Sequence, residues 1–306
     1  MSVMRGKIVF LGTSAGVPTK ERGLSSIALL WGGEVILFDI GEGTQHIMIK
    51  GGISPMKVSK ILITHLHGDH ILGLPGLLMT MALMGREEPL SVFGPKGLNK
   101  LLACLMPAIY EEDAEFSVRS SEIDKAGVVL GERDYMILAA PSRHSVESWA
   151  FRFEERDRPG KFDEKAAKRL EVPPGSVRSK LIEGKPVKLG GRVIRPGDVV
   201  GPPRPGFKMV YTGDTTFSEG IVKFAKGVDL LIHEATFESS KVEAAGKVMH
   251  SVSSDAAKVA VMAGVKQLIL THISARYQDT GTLLSEAQKV FSNTKIAHDL
   301  MEYVMD

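Results

Sequence analysis

An apolar run that ends in a cluster of metal-type side chains constrains this chain more than any other part of its sequence. Residues 61–75 read ILITHLHGDHILGLP, with three histidines and an aspartate within six positions. The run KILITH predicts a strand, so His65 and His67, two positions apart, project to the same side. Asp69 and His70 follow where the chain turns toward a helix. A lone histidine in an apolar context is usually a core residue, but the pattern HxHxDH at a strand end predicts a metal site.

Three further potential ligands follow other predicted strands. His144 follows YMILAAP, Asp214 ends KMVYTGD and His272 ends KQLILTH. Taken singly, Asp214 could be a turn residue or a helix cap, and His144 an ordinary loop histidine. Zinc usually takes four ligands, and a catalytic zinc keeps one position for water. Seven donors are therefore too many for one zinc ion and suit two ions that share a carboxylate and a hydroxide.

Strand and helix patterns alternate along the chain and predict a layered α/β fold. Apolar runs typical of strands are KIVFLGT, SIALLW, EVILFDI, KILITH, LSVFG, YMILAAP, SWAFRFE, KMVYTGDT, DLLIHEA and KQLILTH. Helical patterns occur at LPGLLMTMALMG, LNKLLACLM, SSDAAKVAVMAG and LLSEAQKVF. Several strands are apolar throughout, as expected when both faces are covered, which favours sheets flanked by helices over an open β-sandwich.

Composition narrows the class of protein further. With 306 residues and 43% hydrophobic residues, the chain can form one large domain or two small ones with a real core. The single cysteine, Cys104, excludes an internal disulfide and a cysteine-rich zinc cluster, and its leucine-rich surroundings predict a core position. No stretch approaches the roughly 18–20 apolar residues of a membrane span, and no signal-peptide pattern precedes the first strand. We therefore expect a cytoplasmic protein without a membrane partner.

Positive charge is concentrated in one segment. Residues 159–206 contain eleven Lys or Arg and five Asp or Glu, a net charge of 11 − 5 = +6, so the total of +2 leaves 2 − 6 = −4 for the rest of the chain. The segment has eight prolines, one aromatic residue (Phe162) and a helical pattern only at FDEKAAKRL, and these features predict an excursion with little core. It is either a surface that binds phosphates or a solvated linker.

The order of these motifs resembles a known family. HLHGDH, a lone His, GDT and THIS follow one another as in the metallo-β-lactamase fold, an αββα sandwich with a metal site at one sheet edge. GTSAGVPTKERG, FDIGEGTQ, HEATF, VMHSVS, HISARY and a segment with RPGKFD and VPPG are similar to the short form of RNase Z, the endonuclease that removes 3′ trailers from precursor tRNA. The resemblance implies one domain over residues 1–306, with a protruding basic arm (exosite) inserted at about 155–207.

The resemblance also assigns the seven potential ligands to two Zn²⁺ per subunit. One ion would be bound by His65, His67 and His144. The other would be bound by Asp69, His70 and His272, with Asp214 bridging the two ions. Asp69 is in addition the natural acceptor of a proton from the attacking water.

A proton donor is needed on the side of the leaving ribose 3′-oxygen. His250, oriented by Glu234, suits that role, because a carboxylate can fix the tautomer of a histidine. Without the resemblance, His250 would be read as a surface histidine at a helix start. The remaining histidines His46 and His298 are expected to pack or to face solvent.

Contacts with precursor tRNA are implied for three parts of the chain. The family's loop Pro-x-Lys-x-Arg-Asn is matched by Pro18, Lys20 and Arg22, but its last position is Gly23. The resemblance therefore leaves open whether precursors carrying CCA are rejected. The HISARY motif contributes Ser274 and Arg276. In the arm, the turn Pro173, Pro174 and Gly175 would hold the tip rigid, and phosphates would contact Lys161, Lys165, Lys168, Arg169, Arg178 and Lys180. The resemblance further implies a homodimer in which one subunit's arm grips the tRNA that the partner cuts.

These features predict a zinc-dependent endoribonuclease that leaves a 3′-hydroxyl on the tRNA and a 5′-phosphate on the trailer. Two alternatives from other classes remain. A small phosphodiesterase or glyoxalase-type thioesterase would share the metal residues but has no use for a basic arm of nearly fifty residues. A non-catalytic RNA-binding module would keep the arm and would not need seven ligands.

Overall fold

The apolar runs of the sequence form the interior strands of two sheets. The computed structural model describes residues 6–109 and 116–305. Its strands are β1 (Gly6–Gly12), β2 (Ser14–Ala15), β3 (Ser26–Trp31), β4 (Glu34–Phe38), β5 (Val58–Leu62), β6 (Leu90–Gly94), β7 (Val118–Glu122), β8 (Gly127–Gly131), β9 (Tyr135–Pro141), β10 (Trp149–Glu155), β11 (Val187–Leu189), β12 (Arg192–Ile194), β13 (Lys208–Tyr211), β14 (Leu230–Glu234), β15 (Gln267–Thr271), β16 (Ile273–Ser274), β17 (Thr294–Ile296) and β18 (Glu302–Val304).

Ten α-helices connect these strands in the described part of the chain. They are α1 (Thr44–Lys50), α2 (Gly68–Ile71), α3 (Leu74–Leu83), α4 (Leu98–Ile109), α5 (Glu164–Arg169), α6 (Ser176–Ile182), α7 (Glu219–Phe224), α8 (Val242–Lys247), α9 (Ser253–Ala263) and α10 (Gly281–Val290). Short 3-10 helices lie at Pro55–Lys57, Pro196–Asp198 and Ser239–Lys241. All ten strands and all four helices predicted from the sequence are present.

The two large sheets have seven strands each within the described residues. The first has the order β18-β1-β3-β4-β5-β6-β7 and the second the order β17-β15-β14-β13-β10-β9-β8. Strands β4, β5 and β6 run parallel, as do β13, β14 and β15. Because parallel strands end at the same edge of a sheet, the loops after β4 and β5 emerge together, as do those after β13, β14 and β15.

Alternating side chains of each strand pack on opposite faces. In β4, Phe38 faces the second sheet, with ring centroids 6.3 Å from Phe151 of β10 and 6.2 Å from Tyr211 of β13. Its neighbour Leu37 belongs instead to an apolar cluster that includes Leu77 of α3. On the second sheet, β14 and β15 share a similar cluster with α7, α9 and α10. The predicted layered fold, with helices outside two packed sheets, is therefore confirmed.

The basic segment belongs to a second compact unit, formed by Arg133–Tyr135 and Glu154–Phe207. Within it, Asp163 caps α5 by accepting hydrogen bonds from the backbone nitrogens of Lys165 and Ala166. Helix α6 and the hairpin β11-β12 were not predicted. The unit buries its own small apolar cluster, which consists of Ala166, Ala167, Val172, Leu181, Ile194 and Val199. The segment is thus more ordered than its proline content indicates.

The prediction of a core position for Cys104 is wrong, because the cysteine is exposed on α4. Leu102, two positions earlier, is buried in the cluster beneath the first sheet. Two positions correspond to about 200° around an α-helix, so Cys104 points away from the face that packs. Among the described residues, none of the helices is long and apolar enough to cross a membrane.

Candidate active site

Seven side chains from four separate chain segments converge at one edge of the sandwich. The possible ligand atoms of His65, His67, His144 and Asp214 lie within 4.8 Å of one another, and so do those of Asp69, His70 and His272. The chain segments that carry them follow β5, β9, β13 and β15. The structure therefore brings together all seven residues that the sequence singled out.

The first group has the spacing of ligands around one ion. Nε2 of His65 lies 3.0 Å from Nδ1 of His67, which lies 3.2 Å from Nε2 of His144. Oδ2 of Asp214 is 3.5 Å from Nε2 of His65. Ligands that bind one zinc tetrahedrally, with bonds of about 2.0–2.1 Å, are separated by roughly 3.3 Å. The four atoms thus fit a single metal ion.

The second group has the same spacing and shares Asp214 with the first. Nε2 of His272 lies 3.2 Å from Nε2 of His70 and 3.3 Å from Oδ2 of Asp69. The second oxygen of Asp214, Oδ1, lies 3.4 Å from Nε2 of His70 and 3.3 Å from Nε2 of His272. This buried oxygen has no hydrogen-bond partner. Because such an oxygen is costly unless something binds it, the site fits a pair of cations bridged by Asp214.

Two threonines fix the tautomers of two of the histidines. The Thr64 hydroxyl donates its only proton to Oδ2 of Asp39 (2.9 Å), so Nδ1–H of His65 donates to that hydroxyl at 2.9 Å. The Thr236 hydroxyl likewise donates to Oε2 of Glu234 (2.6 Å) and accepts from Nδ1–H of His272 at 2.9 Å. In both histidines the lone pair for a metal is therefore on Nε2, the atom that faces the cluster.

Two other histidines are oriented in the same way by oxygens. Nδ1 of His70 donates to Oδ2 of Asp39 at 2.7 Å, and Nδ1 of His144 donates to the backbone oxygen of Met249 at 3.0 Å. Burial together with the nearby His70 lowers the pKa of His65 to about 2, which keeps its ring neutral. Burial would also lower the pKa of His70, but Asp214 and Asp39 outweigh it and raise that pKa well above its ordinary value. The carboxylates around His70 thus favour positive charge at this position, which a bound metal ion would supply.

Asp39 is a site residue to which the sequence reading assigned no role. Its carboxylate accepts hydrogen bonds from the Thr64 backbone nitrogen (2.7 Å), the Thr64 hydroxyl, the His70 ring and the Tyr211 hydroxyl (2.8 Å). It is fully buried, and its backbone φ of 57° is unusual for a residue with a side chain. The signal in the sequence is its position at the end of an apolar strand, in FDIGEG.

Beside the cluster, His250 is held by a buried carboxylate. Oε1 of Glu234 accepts from Nδ1 of His250 and from the Thr215 backbone nitrogen, both at 2.8 Å, and Oε2 accepts from the Ser251 backbone nitrogen at 3.1 Å. Burial lowers the pKa of His250, but the charge and hydrogen bond of Glu234 outweigh it and raise this pKa to about 9. The side chain is only 16% exposed, and its ring stacks on His272 with centroids 5.3 Å apart. A surface histidine would have neither feature.

The residues outside the second unit that are implied to contact RNA differ in their exposure and in their hydrogen bonds. Lys20 is exposed. Arg22 is half-buried, and its Nη2 donates to the Tyr277 backbone oxygen at 2.6 Å, so Arg22 ties its loop to the chain after β16. Nε of Arg276 donates to the Ser274 hydroxyl at 3.0 Å, and its guanidinium lies 4.9 Å from the Phe237 ring centroid. The Phe237 ring in turn lies 6.3 Å from that of His250, which links Arg276 to the histidine beside the cluster.

Other residues singled out in the sequence lie outside this cluster. His46 and His298 are exposed, as expected. The turn of Pro173, Pro174 and Gly175 belongs to the second unit, where Gly175 precedes α6 with a φ of 97°.

The chain is similar to known proteins over nearly its whole length. A family model described as anti-Pycsar protein Apyc1 matches residues 6–120. The chain is 48% identical over 295 residues to ribonuclease Z of Methanothermobacter thermautotrophicus, covering 96% of this chain and 95% of that protein. It is 41% identical over 297 residues to ribonuclease Z of Methanosarcina acetivorans, covering 97% of each. The crystal structure of the short form of human tRNase Z (ELAC1) is 27% identical, with a TM-score of 0.71, and the match covers 98% of this chain and 99% of that one.

Proposed function

Because the chain belongs to the ribonuclease Z family, we propose that it is a metal-dependent endoribonuclease that removes the 3′ trailer from precursor tRNA. The observation that carries this proposal is the pair of donor groups that share Asp214, with His250 held beside them by Glu234. The fold has the metallo-β-lactamase architecture of several solved structures, including one from Bacillus subtilis at 20% identity and a TM-score of 0.69. We place the activity in the cytoplasm.

We assign two zinc ions to each subunit. Neutral imidazoles and carboxylates are ligands that zinc favours, and the orphaned Oδ1 of Asp214 supports a second ion. The first ion would be held by His65, His67 and His144 and the second by Asp69, His70 and His272, with Asp214 between them. Two bound ions would make a water molecule more acidic and stabilise charge on the attacking and leaving oxygens of a phosphoryl displacement.

The protein's own side chains would manage the protons of the reaction. Asp69 is the most exposed carboxylate of the cluster, at 13% against 3% for Asp214 and 0% for Asp39, and it can accept a proton from the attacking water. The water oxygen forms a bond to phosphorus while the bond to the ribose 3′-oxygen breaks. His250 gives its proton to that departing oxygen. The products are a tRNA with a 3′-hydroxyl and a trailer with a 5′-phosphate.

The second unit is the proposed binding surface for the tRNA backbone. Its cations Lys161, Lys165, Lys168, Arg169 and Lys180 are all exposed. Phosphate contacts position an RNA without reading its sequence, which suits an enzyme that processes many tRNAs. Arg178 has a different role, because its Nη1 binds both carboxylate oxygens of Glu164 at 3.0 and 2.7 Å. Its guanidinium also lies 5.2 Å from the Phe162 ring centroid, so Arg178 holds the unit together.

An apolar surface supports the proposed homodimer. Helix α3 buries Leu74, Leu77, Leu78 and Met81 on one side. On its other side, Met79 and Leu83 are exposed four positions apart, and Leu72, at the end of α2, is exposed as well. Leu83 is 84% exposed. A helix that is apolar all round needs a partner on its open side, and a second copy of this chain would supply the same surface.

The direct test is incubation of the zinc-loaded protein with a precursor tRNA that carries a 3′ trailer. We expect one cut just after the discriminator region, at the 3′ end of the acceptor stem, with a 3′-hydroxyl on the tRNA and a 5′-phosphate on the trailer, determined by mapping both new ends. Removal of metal with a strong chelator should abolish the cut, and added zinc should restore it. Mature tRNA without a trailer is the control. An intact precursor in the presence of zinc-loaded protein would contradict the proposal.

A second prediction tests the role of the second unit and the proposed homodimer in one experiment. Replacing residues 160–205 by a short Gly/Ser linker should leave zinc content and the hydrolysis of small diesters intact, but slow precursor cleavage by about 100-fold or more at physiological salt. The second compact unit of one subunit can be tested against the active site of its partner by mixing this variant with full-length Asp214→Ala protein. Half of the randomly formed dimers are then mixed, and in each of them one of the two sites has both an intact metal cluster and the partner's second unit. If the second unit acts on the partner's site, the mixture should recover about a quarter of parental activity.

Two outcomes of this experiment would count against the model. Near-parental processing by the linker variant would mean that the unit is only a linker. Loss of processing without recovery in the mixture would mean that each subunit works alone.

A further inference from the structure

Met249 has an unusual backbone conformation. Its carbonyl contacts the possible metal ligand His144, and the proposed proton donor His250 follows it in the chain. Among the described residues other than glycine, positive φ angles occur at Asp39, Glu171, Met249, His272 and Leu300. Asp39 accepts a hydrogen bond from the His70 ring, and His272 is one of the seven possible ligands. Met249 has a φ of 57° and precedes His250. This left-handed conformation is disfavoured for a residue with a Cβ atom, so at Met249 it requires an explanation.

The local cause is the way in which α8 ends. The backbone nitrogen of His250 donates to the oxygen of Ala245 at 3.0 Å, and that of Met249 donates to the oxygen of Gly246 at 3.3 Å. These two bonds define a Schellman motif, in which the residue after the C-cap is left-handed and is usually glycine. Met249 occupies that position here. His250 is therefore the first residue that leaves the turn.

Two parts of this turn contact residues of the site. The backbone oxygen of Met249 accepts from Nδ1 of His144 at 3.0 Å, which fixes the ring so that Nε2 faces the first donor group. The next side chain along the chain, His250, reaches Oε1 of Glu234. The orientation of a metal ligand and the position of the proton donor thus depend on the backbone angles of one residue.

We infer that Met249 is a positioning residue for both groups: its left-handed turn aims the carbonyl at His144 and directs His250 to Glu234. This inference rests on the proposed function for the role of His250, whereas its effect on His144 concerns metal binding alone. A hydrogen-bond acceptor behind a metal-binding histidine raises the basicity of the ligand, and its loss typically weakens metal binding by about 10-fold to 100-fold.

The test is a series of substitutions graded by their tolerance of the left-handed conformation. Met249→Gly removes the strain, Met249→Asn tolerates it, and Met249→Val opposes it most strongly. We expect parental zinc affinity for the glycine variant and a loss of about 10-fold to 100-fold for the valine variant, measured by competition with a chromophoric chelator. The asparagine variant should lie near glycine, so the ranking remains informative even if the valine variant does not fold.

Glu171 provides a matched control, because it occupies the same motif at the end of α5. Its φ is 55°, its backbone nitrogen donates to the oxygen of Lys168 at 3.2 Å, and that of Val172 donates to the oxygen of Ala167 at 2.9 Å. Glu171→Val should therefore lower the melting temperature without changing zinc affinity.

Parental zinc affinity in a folded valine variant would overturn the inference, and so would an equal loss of affinity in the glycine variant. The proposed function is tested separately. A parental protein with full zinc content that leaves precursor tRNA uncut would refute the function, whereas the zinc affinities of the series would still decide the role of Met249.

Discussion

Replacing Asp214 by alanine is expected to remove most of the bound metal and nearly all activity. The two oxygens of this side chain lie on opposite sides of the cluster, with Oδ2 3.5 Å from Nε2 of His65 and Oδ1 3.4 Å from Nε2 of His70. Since losing a partner behind a ligand already weakens metal binding by about 10-fold to 100-fold, losing a ligand shared by two ions should cost at least as much at each position. The change also removes the buried carboxylate that lies between the rings of His65 and His70.

Zinc content per chain and the rate of precursor cleavage are the two measurements. Parental protein should hold about two ions, and the Asp214→Ala variant fewer than one. The matched control is Asp279→Ala, because Asp279 is exposed and accepts only a local hydrogen bond from the Gly281 backbone nitrogen. That variant should keep both zinc and activity. An unchanged zinc content in the Asp214 variant would refute the assignment of this residue as the bridge.

Prediction of the strands from sequence succeeded in the interior of each sheet and failed at the edges. The four outermost strands of the two large sheets are β18, β7, β17 and β8, and none of them was predicted. Interior strands are covered on both faces, so they read as continuous apolar runs. Edge strands such as VRSSE in β7 are partly exposed and carry polar residues, so nothing in their local sequence separates them from loops.

The candidate metal ligands can be predicted from the sequence because each is a histidine or an aspartate, and each lies just after an apolar strand. A histidine or aspartate directly after an apolar strand lies at a sheet edge, where several strands end together. The residues that orient these ligands carry no such signal. Asp39 and Tyr211 are 172 positions apart, and Thr64 is a common residue, so their shared hydrogen bonds depend on the packing of one sheet on the other. Met249 was missed for a related reason, since only its backbone takes part.

The basic segment illustrates a different limit. Composition gives its charge correctly, but its prolines and its single aromatic residue predict little core, and the structure is more ordered than that. In the structure, Pro196 begins a short 3-10 helix and Gly175 takes the positive φ that precedes α6. These residues allow tight turns between short elements, and small apolar side chains then form a core. A composition that lowers helix propensity can thus still specify a compact unit.

A second large loss of activity is expected when the proposed proton donor, His250, is replaced. With its pKa raised to about 9 by Glu234, against the opposing effect of burial, His250 carries a proton at neutral pH and lies beside the cluster, with Nδ1 3.9 Å from Oδ2 of Asp214. If it protonates the departing 3′-oxygen, His250→Ala should slow precursor cleavage by about 100-fold to 10,000-fold. Zinc content should not change, because the metal donors form two complete groups without His250.

A substrate with a good leaving group separates proton donation from a general loss of structure. A p-nitrophenyl phosphodiester releases an anion that hardly needs a proton, so the His250→Ala variant should lose far less activity on it than on RNA. His46→Ala is the matched control, since His46 is exposed and lies outside the cluster, and it should behave like the parent on both substrates. Glu234→Gln should fall between parent and His250→Ala on RNA, because it keeps a hydrogen-bond acceptor for the ring but removes the charge that holds its proton. Equal losses on RNA and on the activated ester in the His250 variant would exclude proton donation and leave His250 only a structural part of the site.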